Sequence, residues 1–327
     1  MTRPLSRQMW RPDRTVVGPE RATRRDIDAL NHVFSDAFTE RYRRDGLSGV
    51  RVPFLNAAVW QFALDNAGEG AMIWRDGRGD LIAFNMAHRS GTEGWMGPLA
   101  VRTDRQGHGL GRTIVLEGVA WLEAQGVQVI GLETMPRTID NIGFYSRLGF
   151  VPGHLTVTLQ RDVSRRNANA VRVGTLSGEE RAAAIRACAQ LAGEVVPGAD
   201  FTRELELTLD QGLGDASLVH GDDRALRAFV LWHHAPLAHG RAKEELRVLK
   251  LVARDEAATL TALAAAEDEA VRHAMPRLSV RCQTAYSDLY AALVREGFRV
   301  HWTDLRMTLA GRNERERRGI LLSNWEI

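Results

Sequence analysis

The stretch Arg105-Gln106-Gly107-His108-Gly109-Leu110-Gly111-Arg112 decides how this chain is interpreted. It lies between an apolar, strand-like run and a long segment whose apolar residues have helical spacing. Three glycines within five residues allow a tight backbone turn that directs several N–H groups at one point. The N-terminus of the following helix adds partial positive charge at the same place. The stretch therefore predicts a loop that binds an anion, and a pyrophosphate is the natural occupant.

Glycine-rich loops hold several kinds of nucleotide, and their flanking residues distinguish these. A Walker loop ends in Gly-Lys-Ser/Thr, whereas Arg112-Thr113 follows Gly111 in this chain. A Rossmann fingerprint requires glycine or alanine where Arg112 stands, although Glu133 lies at about the spacing expected of its ribose-binding acid. Both patterns fit the sequence poorly.

A third pattern, Gln/Arg-x-x-Gly-x-Gly, is matched by Gln106, Gly109 and Gly111. The strand-like run Trp95–Val101 precedes it, and the run Asn141–Phe150, which ends in Leu-Gly-Phe, follows it. Together these segments resemble the GNAT family, the acyl-CoA-dependent N-acyltransferases, over roughly the first half of the chain. The resemblance implies that the loop binds the pyrophosphate of coenzyme A through backbone N–H groups. It also implies that the strand before the loop offers main-chain groups to the pantetheine arm.

Carried over residue by residue, the resemblance gives a set of cofactor-binding positions and an expected acyl donor, acetyl-CoA, with no metal. The strand and loop positions are Leu99, Ala100, Val101, Gln106, Gly107, His108, Gly109, Leu110, Gly111 and Arg112. Asn141 either reaches the pantetheine or adenine part of the cofactor or caps its own helix. Many family members have asparagine seven residues before a catalytic tyrosine, and Thr138 stands at that position here.

The same segments predict secondary structure without the family name. Leu99 to Val101 alternate as a short strand, and apolar residues with helical spacing run from Thr113 to Leu122 and stop before Gly126. A second strand is predicted over Val127–Thr134, followed by a helix that ends at Gly149. The predicted order is a strand, a phosphate-binding loop, a helix, a strand and a helix.

Acyl transfer from a thioester to an amine needs two proton transfers. An alkyl amine has a pKa near 10, so only about one molecule in a thousand is neutral at pH 7, and the departing thiolate must be protonated or stabilised. Glu133 and Tyr145 have a spacing similar to that in bacterial GNAT enzymes that acetylate ribosomal-protein N-termini. In those enzymes the glutamate is the proposed base and the tyrosine the proposed acid.

Alternatives stay open for both catalytic candidates. Tyr145 could instead be a core aromatic residue, and Glu133 could be a solvated surface residue or an ion-pair partner of Arg137. His88 and Glu93, which flank the turn before the cofactor strand, are rival bases.

The second half of the chain repeats the order of the first. A strand over 244–252, a helix over 255–273, a strand over 277–283 and a helix over 287–296 are followed by Gly297-Phe298. When Gly297-Phe298 is set against Gly149-Phe150, Leu293 takes the tyrosine position and Arg281 the glutamate position. Only Ala-Arg-Asp-Glu separates Val252 from Ala257, with no glycine. The second half is therefore predicted to be a degenerate copy without a phosphate loop.

The predicted fold is α+β, with two tandem GNAT-like domains, each a mixed twisted sheet flanked by helices. A length of 327 residues suits about two domains. We expect an N-terminal arm over residues 1–14, a catalytic domain over 15–163, a polar linker over 164–170 and a degenerate domain over 171–327. The last apolar residues, 319–327, are expected to dock onto the same chain or onto a second protomer, which would make a homodimer.

Charge and cysteine content exclude several function classes. Forty-three basic residues nearly balance forty-one acidic ones, so no bulk field for nucleic acid is expected. No apolar run approaches the length of a membrane span, and Cys188 and Cys282 suggest reduced, buried thiols of a cytoplasmic protein. Both cysteines lie in the degenerate half, which argues against an acyl-cysteine route. His233, His234 and His239 lack the companion ligands of a metal site.

The sequence thus predicts an acyl-CoA-dependent N-acyltransferase that transfers acetyl to a primary amine by direct attack in a ternary complex. The acceptor is a small-molecule amine or a peptide amine. A non-catalytic acyl-CoA-binding or interaction module is the alternative.

Overall fold

The computed structural model describes residues 15–242 and 244–324. The predicted N-terminal arm and the last three residues of the apolar C-terminal segment, Trp325–Ile327, lie outside the described residues. Over the described ranges the chain forms thirteen strands, all in one mixed sheet, and eight α-helices.

The element bounds divide into two similar series. The first series is β1 Val16–Arg21, α1 Ile27–Arg44, α2 Ala57–Ala67, β2 Ala71–Asp76, β3 Leu81–Ser90, β4 Glu93–Val101, α3 Leu110–Ala124, β5 Val129–Thr134, α4 Ile139–Arg147 and β6 Phe150–Asp162. The second is β7 Val171–Arg172, α5 Gly178–Val195, α6 Thr202–Asp210, β8 Gly214–His220, β9 Leu226–His233, β10 Leu246–Ala253, α7 Glu256–Arg272, β11 Arg277–Gln283, α8 Ser287–Arg295 and β12 Arg299–Leu309. A short strand, β13 Ile320–Ser323, follows.

Helices cover both faces of the first half of the sheet. The apolar stripe of α3 packs with α4 on one face, and α1 and α2 pack on the other. Gly118 lets α3 lie close to the sheet, because a Cβ there would be 2.4 Å from the Asn85 amide nitrogen. Asn85 satisfies that amide by donating a hydrogen bond to the Ile114 carbonyl. The second half repeats this arrangement, as the order of its sequence patterns predicts.

The two halves exchange their last long strands. The sheet order is β1-β2-β3-β4-β5-β12-β6-β11-β10-β9-β8-β7, so β12 of the second half lies between β5 and β6 of the first. In the same way β6 lies between β12 and β11. Residues 163–170 contain no helix or strand, and the sheet continues on either side of them. Each half therefore completes the sheet of the other.

An approximate twofold axis relates the halves. Counting from Phe150 and Phe298 makes Thr156 and Asp304 equivalent, and these two residues are direct register partners. The axis consequently passes between β6 and β12. Helices α2 and α6 contact each other, and Phe62 and Trp95 of the first half share a core cluster with Phe201 of the second. The α1/α2 face of the first copy thus faces the α5/α6 face of the second.

A search of the described helices for one long and apolar enough to span a bilayer found no candidate.

Candidate active site

A slot opens between β4 and β5 of the first copy. The two strands pair in parallel only from Glu93–Met96 to Val129–Leu132, and beyond Met96 they separate. The opposite edge of β4 stays paired with β3 through Leu99–Val101. The β5-side edge of Leu99–Val101 therefore presents main-chain groups to the slot, and over the described ranges no strand pairs with it. This is where the sequence places the pantetheine arm.

The glycine-rich loop lies at the open end of this slot, directly before α3. Gly107 and Gly109 have φ values of +78° and +87°, and Gly109 is the N-cap of α3. Such φ values strain residues with a Cβ, which explains the two glycines. The backbone N–H groups of residues 107–111 donate to no other group among the described residues. They lie at the positive end of a fifteen-residue helix, an arrangement that suits a cradle for an anion.

The side chains of the loop hold its shape. Gln106 donates a hydrogen bond to the Val101 carbonyl at 3.0 Å, which ties the loop to the end of β4. The His108 ring contacts the Gln106 carbonyl at 2.8 Å, and Arg112 is exposed. Arg105 pairs with Asp76 at 2.9 Å. Gly111 packs against Phe144, so α4 abuts the start of α3.

Tyr145 is buried in α4, within the core cluster that contains Met96 and Leu132. These two residues are the last pair before the strands separate. Burial raises the pKa of Tyr145, so the hydroxyl stays protonated at neutral pH. It can therefore donate a hydrogen bond to a departing thiolate, although the raised pKa makes it a weaker acid than an exposed tyrosine.

Glu133 lies in a buried ion-pair network and does not contact Arg137. Arg281 donates to one carboxylate oxygen at 2.5 Å, and Arg306 and Thr156 donate to the other at 2.8 and 2.5 Å. Burial alone would raise the pKa of Glu133, but the two guanidinium groups and the hydroxyl outweigh it and hold the pKa below its ordinary value. A carboxylate held this way is a weak proton acceptor.

The network extends across the approximate twofold axis. Arg281 occupies the position in the second copy that Glu133 occupies in the first, and it also donates to Asp304 at 2.9 Å. Arg306 bonds Glu314 as well, and its guanidinium lies 4.0 Å above the Trp95 ring. Glu133 and Arg281, which occupy the same position of their copies, therefore bind each other.

The rival bases are also buried. The His88 Nε2–H donates to the Gly97 carbonyl at 3.0 Å, and burial lowers the pKa of His88 to about 4. Burial raises the pKa of Glu93, and Glu314 adds to this, while Arg306 and Arg317 oppose it. Glu93 is the first residue of β4, whereas the strands separate after Met96.

The two residues at the start of α4 face different partners. Asn141 lies near the slot, with its amide nitrogen 3.5 Å from the Thr134 hydroxyl. Thr138, which replaces the family asparagine, is fully buried and donates to Asp45 at 2.6 Å. Because Asp45 follows the C-terminal end of α1, this bond joins α1 to α4 beside the slot.

The second copy has no cradle. Asp255 is the N-cap of α7, and its carboxylate accepts the hydrogen bond of the Ala258 N–H at 2.8 Å. Glu256 adds a second acidic residue in the first turn. This helix N-terminus is therefore satisfied by the protein's own carboxylates and repels an anion.

Comparison with known proteins agrees with this geometry. Residues 28–150 match the model of the acetyltransferase (GNAT) family. No curated protein matches the sequence. The similarity to solved structures is one of fold, at 15% sequence identity or less in the three described next.

A Pyrococcus horikoshii protein to which acetyltransferase activity has been ascribed has 15% identity and a TM-score of 0.66, with 98% of this chain and 95% of that chain covered. A tandem GNAT protein from the clavulanic acid biosynthesis pathway has 12% identity and a TM-score of 0.56, with 90% and 97% covered. The N-myristoyltransferase of Saccharomyces cerevisiae with bound myristoyl-CoA has 12% identity and a TM-score of 0.59, with 93% and 79% covered.

Residues 28–150 thus match the GNAT family model, and the whole chain has a fold like that of a tandem GNAT protein.

The partners of Glu133 are not marked by its local sequence. Arg306 lies far along the chain on β12, and nothing in its local sequence marks it as a neighbour of β5. Repeat symmetry was the one signal that could have paired Glu133 with Arg281, because both occupy the same position of their copies.

Proposed function

We propose that this chain is an acetyl-CoA-dependent N-acetyltransferase with one active cleft, in the first copy. The observation that carries the proposal is the open slot between β4 and β5 beside the N–H groups of residues 107–111, for which the described residues supply no acceptor. Leu99–Val101 would hold the pantetheine arm, the loop and the N-terminus of α3 would hold the pyrophosphate, and Asn141 would line the slot. The acceptor is a primary amine that approaches from the α1/α2 face.

Packing at the closed end of the slot favours a short acyl group. Trp95 is fully buried and is the register partner of Gly131, where a Cβ would lie only 2.6 Å from the indole ring. Arg306 covers the ring on this face, and Met96 and Leu132 are buried on the other. A long acyl chain would have to displace these side chains, whereas an acetyl group needs little space.

In the proposed reaction the neutral amine attacks the thioester carbonyl, the C–S bond breaks, and the thiolate takes its proton from the Tyr145 hydroxyl. The hydroxyl recovers the proton through solvent. The amine proton was expected to pass to Glu133 or to water. Because two arginines stabilise the Glu133 carboxylate, water is the better proton acceptor, and Glu133 instead joins β5, β11 and β12.

The test is calorimetric titration with acetyl-CoA together with a thiol-release assay over a panel of amines and peptides. We expect one binding site per chain, thiol release with one acceptor class, and much slower release from hexanoyl-CoA. Binding without release for every amine would support the alternative, a non-catalytic acyl-CoA-binding module.

A further inference from the structure

Strand β13 lies where the second copy would have its cofactor slot. Strands β10 and β11 pair in parallel only at Leu246–Arg247 with Leu278–Ser279. The continuation of β10, Lys250–Ala253, pairs antiparallel with β13 instead. This continuation corresponds to Leu99–Val101 of the first copy, because both segments end their strand directly before the helix that follows. The edge that is open in the first copy is therefore filled in the second.

Side chains of both neighbouring elements hold the β13 main chain. Gln283 of β11 donates to the Ser323 carbonyl at 3.2 Å, and Tyr286 accepts from the Leu321 N–H at 2.9 Å. Lys250 of β10 donates to the Asn324 carbonyl at 3.0 Å. The Asn324 N–H donates to the Leu249 carbonyl at 2.8 Å. The segment is thus bonded along its length.

The side chains of β13 pack on both faces of the sheet. Ile320 and Leu322 join the core cluster that contains Leu251, and Leu321 joins the cluster on the opposite face. Gly319 leads into the strand so closely that a Cβ there would be 2.5 Å from the Ala253 carbonyl oxygen. All four residues are buried, and their backbone ladder is with β10.

The occupied slot is one for a peptide and not for a nucleotide. Its open end lies beside α7, whose N-terminus carries Asp255 and Glu256 in place of a glycine loop. Backbone hydrogen bonds along one edge and apolar pockets for alternate side chains are features of sites that bind an extended peptide.

We propose that the second copy retains the splayed slot as a groove for an extended peptide, and that residues 319–324 of this chain are its resident ligand. The segment takes the place that a pantetheine arm would have in an active copy and keeps β10 and β11 apart. The second copy is thus a filled site. The proposal is independent of the donor and acceptor used by the first copy.

The first experiment compares the full chain with a chain that ends at Arg318, each with and without a synthetic peptide of residues 319–327. We expect the shortened chain to melt roughly 10 °C lower, because three buried apolar side chains and a ladder of hydrogen bonds are lost. The peptide should bind one to one and restore the melting temperature, whereas a peptide with Leu321→Pro should do neither. An unchanged melting temperature and no peptide binding would overturn the proposal.

A full-length variant tests the same groove if the shortened chain does not fold. In Gly319→Val the new side chain collides with the Ala253 carbonyl, whereas in the control Gly178→Val it meets no atom within 4 Å. Amide exchange at residues 250–253 should rise on the order of 100-fold in the first variant only. Unchanged exchange, or acetyl-CoA that protects these amides in the full chain, would contradict a resident peptide.

Discussion

The two copies share one fold and differ at the three places where an acyl-CoA would bind. The first copy has a glycine cradle with free N–H groups, an open slot and a tyrosine at its closed end. The second has an acidic helix cap, a slot filled by β13 and Leu293 in place of the tyrosine. The shared fold therefore does not by itself predict acyl-CoA binding, and the loop and the slot are what distinguish the two copies.

A histidine that both copies share helps to decide between the candidate bases. His88 and His233 occupy equivalent positions of the third strand, opposite Trp95 and Arg247 respectively. Both are fully buried, and burial lowers the pKa of each. His233 bonds Thr208 where His88 faces Asn66. A histidine kept by the copy without a cradle has a structural role, which argues against His88 as the base.

The largest effect is expected when the copies are separated. A chain ending at Asn167 lacks β12, and the paired edges of β5 and β6 become exposed together with their apolar neighbours. We expect it to be insoluble or unfolded by circular dichroism, and to recover when residues 168–327 are co-expressed. A soluble fragment that still binds acetyl-CoA would show that the first copy is independent of its partner.

Next in size is the loss of the cradle. Gly109→Val places a β-branched residue at φ +87° in the loop, so the N–H groups can no longer converge. Gly126→Val is the matched control, because Gly126 has φ +73° at the other end of α3 and both sites are open. Calorimetry should show acetyl-CoA binding weakened at least about 100-fold in the first variant alone. Equal affinities in the two variants would disprove the cradle.

The buried ion pair between Glu133 and Arg281 can be tested through the free energy of unfolding. Glu133→Gln leaves two buried guanidinium groups poorly compensated and should lower the free energy of unfolding by about 3 kcal/mol at pH 7. Because the folded-state pKa of Glu133 is lowered, its contribution is present above pH 4.5 and lost as the pH falls through the folded-state value. The gap between wild type and variant should therefore narrow in acid.

The pH dependence of turnover distinguishes a structural role of Glu133 from a role as the general base. With Glu133→Gln, the rise of kcat/KM with pH should keep its midpoint, because another group or water accepts the proton. A variant that folds with wild-type stability but has lost this ascending limb on the acid side would make Glu133 the general base.

The smallest free-energy effect concerns the tyrosine that only the first copy has. Tyr145→Phe should lower kcat by roughly 100-fold with little change in the Kd for acetyl-CoA. Tyr286→Phe is the control, since that hydroxyl bonds β13 of the second copy, and it should affect melting and not turnover. An unchanged kcat in Tyr145→Phe would defeat its assignment as the acid.

Local patterns predicted most elements and failed where distant segments meet. The strand Arg277–Gln283 and the order of elements in the second half follow from hydrophobic periodicity. Helix α3 begins at Leu110, earlier than the predicted Thr113, because Gly109 serves as its cap. The exchange of β6 and β12 was not predictable, since an alternating strand has the same pattern whichever neighbour it joins.

In the candidate site too, local features were predictable from the sequence and contacts between distant segments were not. The glycine-rich turn before α3 is a local feature of residues 106–112, so the sequence was sufficient to predict it, and its binding of an anion stays a prediction. The surroundings of Glu133 depend on Arg281 and Arg306, which come from strands in the other half. The C-terminal run was expected to dock on this chain or another, and β13 docks on β10 of the same chain, at a place that no local pattern marks.

The most direct test of the central claim is calorimetric titration of the full chain with acetyl-CoA, followed by hydrogen exchange of the complex. The account predicts one acetyl-CoA per chain, with new protection confined to residues 99–112 and their neighbours in the first copy. Two acetyl-CoA molecules per chain, or protection along β10, would contradict the division into one open and one filled slot.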